Sequence, residues 1–186
     1  DVLFLNPSYS SEAYQNLSNN YAAIEPPTWA LLLASSIRAK NFIPKILDSN
    51  ALNISDEETI KLVKQIDPKL CCFTLYGQNP NAGTTSMIGG ERIAKKLKIK
   101  YPEIKICFVG SHVSALPSEV LALDYVDYIL LNEGVYALID LLSSDFKNLE
   151  KIEGIGFKNK KNELFLSKTA KIVKQEDLDD DIPGYA

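Results

Sequence analysis

The sequence predicts an α/β fold in which a five-stranded parallel sheet is flanked by helices. Segments typical of strands alternate five times with segments of helical periodicity, a pattern that favours parallel strands joined by right-handed crossovers. The segments at 70–76 and 104–109 are almost entirely apolar, as expected of parallel strands buried on both faces. Hydrophobic residues make up 46% and charged residues 24% of the chain, which is typical of a globular protein.

The first predicted strand, 2–5, ends at Asn6-Pro7 and leads into a long polar loop. Pro26 and Pro27 suit the first turn of a helix. The apolar stripe that follows at helical spacing comprises Trp29, Leu32, Leu33, Ser36 and Ile37. We expect this stripe to face the sheet.

A capping-box pattern marks the second helix, which follows a short predicted strand at 44–48. Ser55, with Glu58 three positions later, precedes an apolar stripe that stops near Ile66. The third helix is predicted at 82–101, after the strand 70–76. One face of it carries Met87, Gly90, Ala94, Leu97 and Tyr101. We expect Gly90 to let this helix lie close to the sheet.

Two further strands, 104–109 and 128–131, are predicted with a short helix at 118–123 between them. A last helix follows, with Val135, Leu138, Ile139 and Leu142 turned inward. We expect these five strands to take the flavodoxin-like, Rossmann-like order. They define an α/β domain at 1–147.

The pattern changes beyond this domain. Segments 155–158 and 164–168 flank a turn-forming stretch and are typical of an antiparallel hairpin. We therefore predict a β-hairpin extension at 148–175. The remaining segment, 176–186, is rich in acidic residues, and we interpret it as a linker.

Charge and cysteine content argue against several kinds of partner. The formal net charge is −4 and the lysines are scattered, so no basic face for nucleic acid is expected. No run of about 18 apolar residues could span a bilayer. The adjacent Cys71 and Cys72 lie in an apolar run, which indicates buried thiols in a reducing, cytoplasmic setting. Because the chain does not begin with Met, we expect a piece of a longer polypeptide.

Polar and small residues follow every predicted strand, at the edge where ligands of α/β sheets bind. Each taken singly is also explained by helix capping or a turn, but their joint occurrence favours a binding rim. Gly110 is typical of close approach by a ligand or of a simple turn. His112 could ligate a metal, form a hydrogen bond to the edge of a cofactor, or be a loop residue satisfied by backbone carbonyls. The candidate binding residues are Ser8, Tyr9, Thr74, Tyr76, Gly77, Gln78, Gly110, Ser111, His112, Asn132, Glu133 and Gly134. No nucleophile, base and orienting group are paired, so no catalytic residue and no metal ligand is predicted.

Three nucleotide-binding or signalling classes lack their signatures. No G-x-G-x-x-G follows the first strand, which argues against a dinucleotide-binding domain. The third strand ends at Thr74-Leu75-Tyr76, where a receiver domain would carry its phosphoacceptor aspartate. The segment after Pro7 contains no glycine, so it is a poor match to a flavodoxin phosphate loop.

The chain resembles the cobalamin (vitamin B12)-binding domain found at the amino end of cobalamin-dependent radical S-adenosylmethionine enzymes, often methyltransferases. The residues that carry this resemblance are Asn6-Pro7, Glu25-Pro26-Pro27, Asp48, Thr74, Val109-Gly110-Ser111-His112, Pro117, Val126-Asp127-Tyr128, Asn132-Glu133-Gly134 and the closing segment 178–183. The chain departs from the family where a second glycine usually precedes the histidine and where a glycine-glutamate repeat usually replaces Asn132-Glu133-Gly134-Val135. The D-x-H-x-x-G motif, which supplies a histidine to cobalt in the methionine-synthase-like branch, is also absent, because the loop after the first strand contains no histidine.

The resemblance implies that the chain binds cobalamin in the base-off form at the carboxyl ends of the strands. It implies a nucleotide tail near Thr74, Gly110 and Ser111, and a corrin ring over the loops with Ser8, Tyr9, Tyr76, Gln78 and His112. It further implies a radical domain that follows this chain and holds a 4Fe-4S cluster and S-adenosylmethionine. The C-x-x-x-C-x-x-C motif that would bind the cluster is absent from this chain. This chain alone would then bind rather than catalyse.

Two other functions stay open on the sequence. One is a small flavin- or nucleotide-binding protein of the flavodoxin type. The other is a non-catalytic scaffold that has lost its cofactor. A bulky residue in place of Gly110 is expected to abolish cofactor binding and to leave the fold intact.

Overall fold

The computed structural model of the protein describes residues 1–9, 24–77 and 80–173. Its strands are β1 (Val2–Asn6), β2 (Pro44–Asp48), β3 (Leu70–Leu75), β4 (Lys105–Gly110), β5 (Tyr128–Leu130), β6 (Ile155–Lys158) and β7 (Leu164–Leu166). They form one mixed sheet in the order β2-β1-β3-β4-β5-β6-β7. The first five are parallel to one another, whereas β6 and β7 run antiparallel. The α/β, Rossmann-like class is therefore as predicted.

The hairpin corrects the predicted five-stranded sheet, because β6 and β7 extend that sheet to seven strands. β6 pairs along β5, with Tyr128 opposite Phe157 and Leu130 opposite Ile155. The physical reason lies in β5, which is only three residues long and would otherwise leave an unpaired edge. Gly156 permits the close pairing, since a Cβ there would lie 2.6 Å from Cγ1 of Ile129.

The helices of the described residues lie on both faces of the sheet. They are α1 (Thr28–Ala39), α2 (Ser49–Leu52), α3 (Asp56–Ile66), α4 (Pro80–Lys100), α5 (Ser111–Ala115), α6 (Pro117–Ala122) and α7 (Val135–Ser143), with a 3-10 turn at Leu149–Lys151. Helices α1 and α7 share one apolar core with the sheet, and α3 to α6 share the other. The short helices α2 and α5 were not predicted, because each is a single turn at a strand end.

Alternation along the strands divides the core between the two faces. Phe4 and Cys72 face α1 and α7, whereas Leu5 and Cys71 face α3 and α4. This double burial explains the continuous apolar runs in the sequence. The three cysteines are free and buried, and burial raises the pKa of the Cys71 thiol well above its ordinary value.

Helix α4 lies directly on β3, as the glycine in its apolar stripe predicts. A Cβ at Gly90 would stand 2.6 Å from Cδ2 of Leu75. A side chain at this position would therefore force either the Leu75 side chain or the helix to move.

Ser55→Ala is expected to lower the free energy of unfolding by about 1 kcal/mol, since the predicted capping box is present at the start of α3. The Ser55 hydroxyl accepts from the Glu58 amide at 3.2 Å, and the Glu58 carboxylate accepts from the Ser55 amide at 2.9 Å. Urea denaturation checks this value. Ser55→Asp restores a capping oxygen, and a variant as unstable as the alanine would contradict a capping role.

Candidate functional site

A cavity of about 230 Å³ opens at the carboxyl ends of β1 and β3, beside the first turn of α1. The strand order reverses between these strands, because β2 lies on one side of β1 and β3 on the other. Ligands of open α/β sheets bind outside such a switch point. The residues around the cavity include Asn6, Tyr9, Trp29, Asn50, Thr74, Tyr76 and Gly77.

Thr74 lies near the end of β3 and links this strand to β1. Its side chain is buried, with the residue 3% exposed, and its hydroxyl donates to the Leu5 carbonyl oxygen at 3.3 Å. A hydroxyl that donates in this way can still accept a hydrogen bond. Thr74 therefore offers the cavity an acceptor whose orientation is fixed by β1.

An aromatic pair forms one wall of the cavity. The rings of Trp29 and Tyr76 stack, with centroids 4.5 Å apart and planes inclined at 23°. The Tyr76 hydroxyl donates to the carbonyl oxygen of Asn132, in the loop between β5 and α7. The pair thus links α1 to that loop. Trp29 was expected to face the sheet, but it lies at the first turn of α1 and lines the cavity instead.

A polar cluster lies where β1 and β2 end. The Asn6 amide donates to Oδ1 of Asp48 at 3.0 Å, and the same oxygen accepts from the Ala51 amide at the start of α2. Oδ2 of Asp48 and Oδ1 of Asn50 are buried, and neither has a hydrogen-bond partner among the described residues. A buried acceptor without a donor is costly. These oxygens therefore favour a ligand that brings N–H or O–H groups.

Four of the predicted site residues come together at the cavity: Tyr9, Thr74, Tyr76 and Gly77. Ser8 is adjacent, and its carbonyl oxygen accepts from the Arg92 side chain. Gln78 lies outside the described residues. Sequence reasoning missed Trp29, which stands at a helix start. Asn50, in the loop after the second strand, was expected on the polar rim but was not among the candidate binding residues.

Gly110, Ser111 and His112 lie at the end of β4, outside the lining of this cavity. A Cβ at Gly110 would fall 2.2 Å from the Leu75 carbonyl oxygen, so this glycine allows β3 to approach β4 closely. Oγ of Ser111 is buried without a hydrogen-bond partner in the described part of the chain. Nδ1 of His112 lies within hydrogen-bond distance of the Thr84 hydroxyl, at 3.3 Å.

Asn132, Glu133 and Gly134 form the turn into α7. The backbone carbonyl oxygen of Asn132 accepts a hydrogen bond from the Tyr76 hydroxyl. The backbone N–H of Asn132 donates to the Ser114 hydroxyl at 2.8 Å. Gly134 has a φ of 71°, a conformation that suits glycine, and it caps α7. A structural role in this turn therefore accounts for Gly134.

The described residues give no sign of a metal set or a membrane span. Within 1–9, 24–77 and 80–173, no three His, Cys, Asp or Glu side chains stand together as metal ligands. No helix in the same ranges combines the length and apolar composition needed to cross a membrane.

The amino-acid sequence matches the B12-binding family, described as the B12 binding domain, over residues 16–142. The chain belongs to this family. A comparison with curated protein sequences gave no match. The matched range begins after β1 and runs from before α1 to the penultimate residue of α7. It therefore includes the cavity residues from Glu25 to Gly77 but not Asn6 and Tyr9.

Solved structures of two proteins share the fold. One is the radical S-adenosylmethionine methyltransferase TsrM from Kitasatospora setae with cobalamin and a 4Fe-4S cluster bound, with a TM-score of 0.67 and 13% identity. The other is the cobalamin-dependent S-adenosylmethionine radical enzyme OxsB with aqua-cobalamin bound, with a TM-score of 0.64 and 14% identity. The matches cover 94% and 97% of this chain, but only 30% and 23% of those proteins.

Proposed function

We propose that this domain binds cobalamin at the carboxyl edge of the sheet, with the nucleotide tail in the cavity beside Thr74. The corrin ring would lie above it, over the loops that carry Ser8, Tyr9, Gly77 and His112. The observation that carries the proposal is a cavity at the topological switch point of a B12-binding domain, walled by stacked aromatic rings. Gly110 and Ser111 would support this edge from β4.

The residues at the cavity fit such a ligand in size and chemistry. About 230 Å³ is small for a pocket that encloses a drug-sized ligand, so it suits one part of cobalamin, such as the planar base of its tail. The Trp29 and Tyr76 rings supply an apolar, planar surface for that base. The unpartnered Oδ1 of Asn50, a residue of the cavity lining, would accept a hydrogen bond from an N–H or O–H group of the nucleotide tail.

Base-off binding is part of the proposal. A tail base held between Trp29 and Thr74 would be kept away from the cobalt. The chain has a single histidine, and it lies at the end of β4 rather than in the first loop. His112 would therefore contact the edge of the cofactor, with its Nδ1 within hydrogen-bond distance of the Thr84 hydroxyl. Bound cobalamin supplies a cobalt centre for methyl transfer or for radical chemistry.

We further propose that this chain is the cobalamin-binding part of a longer, cytoplasmic radical S-adenosylmethionine enzyme, and that this enzyme is a methyltransferase. The solved structures that share its fold are larger proteins of that kind, which supports this assignment. The α/β domain at 1–147 would hold cobalamin, and the hairpin at 148–175 would be an extension of that domain. The segment 176–186 would lead to a domain with the 4Fe-4S cluster and S-adenosylmethionine.

Incubation with hydroxocobalamin followed by gel filtration tests the proposal. We expect the protein to elute coloured, with the absorption spectrum of base-off cobalamin. Cobinamide, which lacks the nucleotide tail, should bind at least about tenfold more weakly because the cavity would stay empty. A colourless protein would overturn cobalamin binding, and tight binding of FMN instead would indicate a flavodoxin-type function.

A further inference from the structure

We infer that Arg92 of α4 is a positioning residue for the cofactor site, which it serves by holding the first loop in place. The inference rests on the proposed function, since it assigns a role toward the same site. It concerns the segment Pro7-Ser8-Tyr9, which leaves β1 and carries Tyr9 to the cavity. Arg92 itself does not line the cavity.

Arg92 is held by a carboxylate at the start of α3. Its Nε donates to Oδ2 of Asp56 at 2.8 Å, and its Nη2 donates to Oδ1 at 3.0 Å. Asp56 is largely buried, with a side chain 10% exposed, and it also pairs with Lys96 at 2.8 Å. Two-point pairing fixes the plane of the guanidinium, which a single contact would not do.

The fixed guanidinium reaches the first loop. Nη2 of Arg92 also donates to the Ser8 carbonyl oxygen at 3.1 Å. Three residues earlier on α4, Gly89 lets the same carbonyl come close, because a Cβ there would lie 2.4 Å from that oxygen and 3.2 Å from Cβ of Tyr9. Two independent features of α4 therefore accommodate one peptide group of the loop.

This anchoring matters for binding because the segment is short and follows the strand directly. Asn6 and Tyr9 both line the cavity, and Ser8 lies between them. Without its anchor, the segment would sample more conformations, and binding would have to restrict them. The loss would appear as weaker cofactor affinity, whereas the core, which lies beneath, would be unaffected.

Lys96 provides a matched control for a purely structural role. It shares Asp56 with Arg92 and bridges α4 to α3 in the same way, but its hydrogen bonds go to Asp56 and Glu57. Arg92→Gln and Lys96→Gln each remove one cation from Asp56. Only the first also removes the donor to Ser8.

The experiment compares hydroxocobalamin titrations of the unmodified protein, Arg92→Gln, Arg92→Lys and Lys96→Gln. We expect Arg92→Gln to weaken affinity about tenfold and Lys96→Gln less than twofold, at similar melting temperatures. The affinity of Arg92→Lys should fall between those of the two glutamine variants. A single ammonium group cannot form both the two-point pairing with Asp56 and the hydrogen bond to the Ser8 carbonyl oxygen. Equal affinity for the two glutamine variants would overturn the inference.

A second variant and a measurement without cofactor complete the test, and the latter is independent of the proposed function. Gly89→Ala should displace the Ser8 carbonyl and weaken affinity in the same way, while a normal affinity would count against the anchored loop. In cofactor-free protein, amide hydrogen exchange of the peptide ending at Tyr9 should be faster in Arg92→Gln than in Lys96→Gln. If no variant binds cobalamin but this difference is present, the proposed function fails and the loop anchor stands; equal exchange overturns the anchor.

Discussion

Gly110→Ala is expected to lower the free energy of unfolding by about 3 kcal/mol, at the upper end of the usual cost of overpacking a core. The added Cβ would lie 2.2 Å from the Leu75 carbonyl oxygen and 2.7 Å from its carbon. These are backbone atoms of β3, which is paired with β4 along its whole length. The clash can be relieved only if the two central strands move apart. Urea denaturation followed by circular dichroism measures the loss.

Gly83→Ala is the matched control for this prediction. A Cβ at Gly83 would lie 2.1 Å from Oγ of Ser111, which is as close as the contact at Gly110. Here the obstacle is a side-chain hydroxyl that has no hydrogen-bond partner in the described residues, so it can rotate away. Alanine also favours the helical conformation over glycine by about 1 kcal/mol. We expect a change below about 1 kcal/mol, and equal losses at Gly83 and Gly110 would contradict the argument.

The contact between Gly110 and β3 changes the role expected of this glycine in the site. The sequence suggested that Gly110 admits a ligand, so that a bulky residue would abolish binding and spare the fold. The structure places the bare face of Gly110 against β3. We therefore expect substitution to damage the sheet first, and any loss of binding to follow from that damage.

Most of the fold follows from local patterns in the sequence. The apolar runs of β3 and β4 predicted buried parallel strands, and the Ser55-Glu58 capping box predicted the start of α3. The hairpin was recognised from its turn, but its attachment to β5 was not. Pairing between β5 and β6 joins residues 25 to 29 positions apart, and a pattern of alternation does not specify which edge a hairpin will extend.

The site was harder to predict than the fold, because its composition depends on which strand ends are adjacent. Thr74, Tyr76 and Tyr9 were expected at the rim, and they meet at the cavity. Trp29 was assigned to the core because its spacing matches the buried stripe of α1. Periodicity predicts which face of a helix is apolar. It does not predict that a residue in the first turn, such as Trp29, lies beyond the edge of the sheet and so lines the cavity.

Trp29→Ala is expected to weaken hydroxocobalamin binding about thirtyfold, which corresponds to about 2 kcal/mol, the usual cost of removing an aromatic ring on which a base stacks. Trp29 is half-buried at the cavity wall and stacks on Tyr76 at a centroid distance of 4.5 Å. Its loss would remove both a planar surface for the ligand and the neighbour that holds the Tyr76 ring. Spectral titration at the visible absorption bands of cobalamin gives the affinity.

Tyr76→Phe separates the stacked ring from the link to the neighbouring loop. This variant keeps the ring against Trp29 but removes the donor to the Asn132 carbonyl. If the aromatic surface determines affinity, Tyr76→Phe should bind within a few fold of the unmodified protein, whereas Trp29→Ala should not. Cobinamide sharpens the test, because a ligand without a tail base should be insensitive to Trp29→Ala. A thirtyfold loss for cobinamide as well would mean that Trp29 supports the corrin ring, and would overturn the placement of the tail in this cavity.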